Sequence, residues 1–242
     1  MKIKPLILTK LCALAFSTGA LYAENASNPL AAVNYTDIRA QYFDVFGSDK
    51  EDYWLSGAYM VNSKFKLKYE LHYWKTDITG KEENGLDEIR IKGIYFPTQG
   101  LLGEWQYKVA VGAEWIVSAN NEDKGIGIGS DQIAPLAGLA FVKGDTVLVP
   151  LIQHFISYSG PDVSTTSIRL IAIQSLENNY WVKLDAKIPF EWENDNAIPA
   201  TAEVQFGKMF TSSFGLYADA NAGIGGDKPY DWGIGLGVRF MY

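Results

Sequence analysis

The last twelve residues, 231–242, alternate without a fault. Trp232, Ile234, Leu236, Val238, Phe240 and Tyr242 share one face, while Asp231, Gly233, Gly235, Gly237, Arg239 and Met241 share the other. Side chains alternate along a strand, so this is a strand greasy on one side only. Its apolar face carries no charge over its whole length, and a free edge of that kind invites aggregation in water. Closure into a barrel in lipid removes both difficulties, because every backbone group then pairs with a neighbour. The pattern sets the expected fold class: all-β, a transmembrane antiparallel up-and-down β-barrel.

The same period recurs upstream. Phe65, Leu67, Tyr69, Leu71 and Tyr73 alternate with Lys66, Lys68, Glu70 and His72; Trp105 to Trp115 and Tyr180 to Phe190 repeat the design. No helix face fits such a pattern. The segments recur at roughly 18-residue spacing, as a membrane strand of ~10 residues plus its share of connections requires. The reading gives twelve strands, near 35–46, 52–61, 64–75, 87–96, 104–117, 132–143, 146–158, 165–175, 180–190, 199–209, 214–224 and 231–242. Twelve is even, as bacterial single-chain barrels require, and it places both termini at one end. Longer, mostly acidic connections such as 76–86, 118–131 and 191–198 tend to alternate with shorter ones. One connection, 97–103, breaks the length rule, while 47–51 is counted among the longer loops. All seven tryptophans fall at or near expected strand ends, where aromatic girdles belong.

Residues 1–23 carry Lys2 and Lys4, an apolar stretch and then small residues, which reads as a secretory signal peptide cut after Ala23 or Ala20, with Ala23 preferred. The rest, 24–242, reads as a single barrel domain exported to the outer membrane. Cys12 is the sole cysteine, so disulfides play no part in the mature chain. Loss of Lys2, Lys4 and Lys10 takes the formal charge from −7 to −10, which disfavours nucleic acid as a partner. The 14% aromatic content and 23 glycines suit strands and turns. A soluble secreted β-protein would share this composition.

The chemistry is expected on the inward face. Lys66, Lys68, Glu70, His72, Arg90, Lys92, Lys108, Glu114, Lys183, Asp185, Lys187, Glu203 and Arg239 are the candidate pore-lining residues, a mixed-sign lining that can hold water and a small solute. The competing reading is a sealed structural or adhesion barrel in which these charges pair with one another. A lipid hydrolase would have to use His154 with Ser157 or Ser159, yet residues three apart on a strand point to opposite faces. His72 and His154 lie in no cluster of metal-ligand spacing, and no cofactor is expected. Gly125, Gly127 and Gly129 form a glycine-rich loop without the lysine of a phosphate cradle. Between 146 and 158 the parity is confused, and a bulge at Pro150 is the simplest repair. Gln153 and His154 are adjacent, so a regular strand aims one of them at lipid unless the parity slips or the site lies at the rim.

The terminal row Trp232, Ile234, Leu236, Val238, Phe240 and Tyr242 resembles the carboxy-terminal signal of Gram-negative outer-membrane proteins, which implies recognition by the barrel assembly machinery. The blocks 28–42, 153–162 and 199–208 resemble outer-membrane transporters and the "MetA-pathway of phenol degradation" family of barrels. That resemblance implies passage of small molecules, aromatic or apolar ones among them, and carries no catalytic motif. Outer-membrane lipid and lipopolysaccharide are the expected surroundings, with the acidic loops sharing divalent cations with the latter. Deleting Tyr242, or replacing Phe240→Asp, should reduce the heat-modifiable, membrane-inserted fraction before it alters transport by molecules that do insert; normal insertion of both variants would count against the terminal row as a signal.

Overall fold

A computed structural model describes residues 26–242; the signal-peptide expectation for 1–23 lies outside them. One sheet contains β1 (Tyr35–Val45), β2 (Ser48–Asn62), β3 (Phe65–Thr76), β4 (Glu83–Tyr95), β5 (Gln99–Leu102), β6 (Trp105–Ser118), β7 (Asp131–Lys143), β8 (Thr146–Ser159), β9 (Ser164–Ser175), β10 (Tyr180–Glu191), β11 (Ala200–Met209), β12 (Phe214–Ile224) and β13 (Trp232–Met241). Pairing is antiparallel throughout, and β1 meets β13 from Tyr35 opposite Met241 to Asp44 opposite Trp232, which closes the sheet. The short β5 is not a further stave. β4 pairs with β6 as far as Tyr95 opposite Val111, and β5 then takes over from Gln99 opposite Lys108 to Leu102 opposite Trp105. Pro97 has no N–H to give the ladder and interrupts the stave; the Thr98 carbonyl accepts from Val109 N at 2.9 Å beside the gap. The result is a closed barrel of twelve staves.

That interruption corrects the connections. Most of 97–103 belongs to the stave, and the turn is Gly103-Glu104, with Gly103 at φ 60°. The loop expected over 47–51 is also strand from Ser48 onward. Phe46 at φ 56° and Gly47 at φ 89° form a two-residue turn, closed by Gly47 N donating to Asp44 Oδ1 at 2.8 Å. Turns of that hand match the twist of the strands they join. The end that holds the termini therefore has only short connections, and the longer ones gather at the opposite, loop end. The glycine-rich loop is more ordered than a free surface loop: Ile126 is buried, and Ser130 Oγ donates to the Pro161 carbonyl at 2.5 Å.

Pro150 needs no bulge. β8 keeps register with β9 through Pro150 opposite Leu170; the pairing with β7 lapses between Ile133–Ile156 and Leu136–Gln153 and again between Gly138–Leu151 and Phe141–Leu148 without losing register, and shifts only at Asp131/Gln132, away from Pro150. Gln153 thus faces the lumen and His154 faces outward near the loop end. A bulge does occur between Leu71 and Tyr73, where β4 has one residue more than β3; Asp87 and Glu88, though consecutive, are both buried.

Outside, apolar side chains stand exposed on stave after stave: Ile38, Leu55, Ile91, Ile133, Ile152, Leu184, Val204 and Leu236 among them. In water a patch so large would be a defect; around a barrel it is the lipid-facing band. Trp115, Trp192 and Trp232 take the expected rim positions, exposed. Trp54, Trp74 and Trp181 do not, because their parity turns them into the lumen. Trp181 is buried, donates from Nε1 to Gln205 Oε1 at 3.1 Å, and lays its indole where a Cβ on Gly207 would sit. Gly207→Val should therefore cost about 1–3 kcal/mol through overpacking, read as a lower urea midpoint for the folded band in detergent; an unchanged midpoint would show that the indole moves freely.

Candidate functional site: a charged lumen

The inward faces of β1–β4 and β9–β13, joined by Glu114 on β6 and Gln153 on β8, carry a network of charges. Arg39 Nη2 lies 2.7 Å from Glu203 Oε2 and 2.7 Å from Asp219 Oδ1. Gln41 and Asn221 each donate to Asp219 at 2.7 Å. Arg239 grips Asp37 with two bonds of 2.9 and 2.6 Å, and Tyr217 OH donates to the same carboxylate at 3.3 Å. Arg169 holds Asp185 in the same bidentate way, at 2.7 and 2.5 Å, while Lys183 sits 3.4 Å from Asp185 and 2.7 Å from Glu203. Lys92 meets Glu114 at 3.1 Å, which also accepts from Gln153 Nε2 at 2.5 Å. Arg90 bonds Glu88 at 2.5 Å and Lys68 lies 3.5 Å from Glu70. His72 Nδ1 is 3.1 Å from both Asp52 oxygens, with its ring 4.8 Å from Trp54. Burial of charge is tolerable because of this pairing, and the two-pronged arginine bonds fix it geometrically.

Residues 26–31 run into this lumen rather than away from it. Ser27, Asn28, Leu30 and Ala31 are all buried. Lys66 Nζ donates to the Pro29 carbonyl at 3.2 Å and to that of Ala31 at 2.6 Å. Ser27 Oγ donates to Gln205 Oε1 and accepts from Arg239 Nη1, each at 2.9 Å. Leu30 enters a socket of Ile94, Phe96, Ala110, Ala140, Val149, Ile171 and Ile173. The segment thus touches β3, β4, β6–β9, β11 and β13, and it plugs the lumen across its width. It also shows that the inward face of β6–β9 is apolar toward the terminal end, Lys108 on β6 excepted. Period two says which side chains face inward, and it does not say what fills the space between them.

Two cavities flank Pro29, of about 120 and 110 Å³, and they share Lys68, Glu70, Arg169 and Lys187. Of the candidate pore-lining residues, Arg90, Lys92 and Glu114 line the larger cavity, and Lys183 and Arg239 the smaller. Lys187 is exposed to this space. Lys66 stands apart: it is wholly buried and tethers the plug. Lys108 lies over Phe96, 5.3 Å from the ring centre, near the terminal end. Asp185, Glu203 and His72 face inward behind their partners. Sequence reading passed over Arg39, Asp37 and Arg169. Their signal was the same alternation, with Ile38 and Ala40 outward on β1, and Ile168 and Leu170 outward on β9.

The hydrolase candidates are separated. His154 faces outward and bonds Thr166 Oγ1 at 2.9 Å, which also accepts from Trp192 Nε1 at 2.9 Å. Ser157 Oγ instead accepts from Val163 N at 2.9 Å, and Ser159 is an exposed residue at the end of β8. Among the described residues no group of three His, Cys, Asp or Glu is placed to hold a metal ion.

The fold is that of the outer-membrane β-barrel porins. The chain is similar in structure to the NanC porin (TM-score 0.65, 12% identity, 85% of this chain and 98% of that one) and to an outer membrane channel from Pseudomonas putida F1 (0.62, 11%, 87% and 95%). It is also similar to outer membrane phospholipase A from Escherichia coli (0.52, 14%, 86% and 89%). No family model matches the chain and no curated protein matches it in sequence, so the resemblance to the phenol-degradation barrels has no family match behind it. At these identities the likeness concerns the fold, which channels and a phospholipase share; function has to be argued from the lumen.

Arg239→Leu should destabilise the barrel by about 3–5 kcal/mol, since it strands the buried Asp37 carboxylate. The double change Arg239→Leu with Asp37→Leu should recover a large part of that loss in urea unfolding, and additive losses would show that the two are not coupled.

Proposed function

We propose that the barrel is an outer-membrane channel for small hydrophilic solutes and that its lumen favours anions. One observation carries the reading. The two cavities are lined by eight cations, Arg39, Lys68, Arg90, Lys92, Arg169, Lys183, Lys187 and Arg239, and by three carboxylates, Asp37, Glu70 and Glu114. Four further carboxylates, Glu88, Asp185, Glu203 and Asp219, bond these cations from behind, so the positive groups are the ones that face the space a solute would cross, and low-dielectric walls focus their field. The acidic side chains Glu82, Glu122 and Asp195 lie instead in the loops, beside the lipopolysaccharide that surrounds an outer-membrane barrel. The plug sets the size limit, and the two cavities beside Pro29 mark where passage would run. A leader removed on export and a terminal row read by the assembly machinery complete this picture of the outer membrane.

Purified protein in planar bilayers should give small discrete steps whose reversal potential in a KCl gradient lies toward that of chloride. Lys187→Glu should move it toward potassium, and Leu30→Ala, by loosening the plug, should enlarge the steps. A correctly folded barrel that stays silent in all three forms overturns the channel and leaves a structural or adhesion barrel, which predicts that silence together with an envelope defect on deletion.

A further inference from the structure

The larger cavity has two chemical sides, arranged around one ring of strands. Across three adjacent staves the register sets Leu151 opposite Arg169, and Arg169 opposite Lys187. Beyond Leu151 the wall is largely apolar, with Leu136 on β7, Phe155 on β8 and Leu30 from the plug; between Leu151 and Phe155 it is interrupted by Gln153, whose amide is taken up by Glu114. On the other flank it is cationic again, with Lys68 beside Lys92. Most of these cations already have a carboxylate: Arg169 has Asp185, Lys92 has Glu114 and Lys68 has Glu70. Lys187 is different, because it is exposed to the cavity and forms none of the ion pairs of the network. An ammonium left without a carboxylate, next to an apolar wall, is half of a recognition site.

We infer that this cavity is a binding site for a small carboxylate with an aromatic or compact apolar body. The carboxylate pairs with Lys187 at the cationic edge, and the body lies against Leu151, Phe155 and Leu30. The cavity of about 120 Å³ is somewhat smaller than the apolar cavity of about 150 Å³ that accommodates benzene, so the ring fills it and the carboxylate reaches past Lys187 into the adjoining cavity of about 110 Å³, which that residue also lines. Each half alone is a poor ligand. A bare anion leaves the apolar wall wet, while a neutral ring leaves Lys187 unpaired. The inference deepens the channel reading and rests on it for access to the cavity, though the binding itself can be measured without any current.

Benzoate is the probe. Titration calorimetry on the full barrel in detergent should show one saturable site, with acetate, toluene and benzylamine each binding at least tenfold more weakly. Lys187→Met should weaken benzoate at least tenfold and leave toluene unchanged; Phe155→Ala should weaken both. Lys187→Arg, which keeps the charge, should retain most of the affinity and serves as the check on folding. Benzoate binding no tighter than acetate, or unmoved by Lys187→Met in a folded barrel, overturns the site. Binding by a barrel silent in bilayers sinks the channel and keeps the site, whereas chloride current without benzoate binding does the reverse.

Discussion

The pairing of β1 with β13 is the contact on which the rest depends. In hydrocarbon an unpaired N–H or C=O has no water to turn to, so an open sheet of this size would carry an intolerable seam. Ten consecutive residue pairs, Tyr35 with Met241 through Asp44 with Trp232, remove it. Closure then dictates everything radial: one parity of each stave faces lipid and the other is confined to a narrow lumen. The apolar band outside and the charge network inside are two consequences of one geometric fact.

Confinement explains why the interior is so heavily paired. A charge in that lumen keeps only part of its hydration, and an opposite charge on a neighbouring or facing stave replaces what is lost. The pairs cross the closing seam itself: Arg39 on β1 reaches Asp219 on β12, and Arg239 on β13 holds Asp37 on β1. Side chains therefore lock the register that the backbone closes, since a slip by one residue would put Asp37, Arg39 and Arg239 into lipid.

The alternation of the sequence reported the staves and the radial direction of nearly every side chain, and it did so because period two is a local property of the chain. What it could not report is non-local. Pro97 looked like the edge of a loop, and only the partner strand β6 shows that the stave resumes at Gln99. The inward parity of Trp54, Trp74 and Trp181 was legible, yet proximity to strand ends suggested a girdle instead. Residues 28–34 carry no periodic signal, so nothing local announced that Leu30 would meet Ile94, Val149 and Ile171 from three different staves. The same limit applied to Lys66, which period two rightly turned inward and which proved to be a tether for the plug rather than a wall.

The plug resolves an apparent conflict between the two halves of the lumen. A twelve-stranded barrel encloses more space than its own side chains fill, and this one closes the excess in two ways. Toward the terminal end it lines β6–β9 with apolar residues and inserts Leu30, so that side packs as a dry core. Around Pro29 it keeps charge and cavity, where Lys187 remains exposed. A sealed barrel would gain by extending the apolar solution throughout, because apolar replacements of buried ion pairs are often neutral or stabilising. Locking the register accounts for the paired charges, but not for Lys187, which joins none of those ion pairs and stands beside the apolar wall.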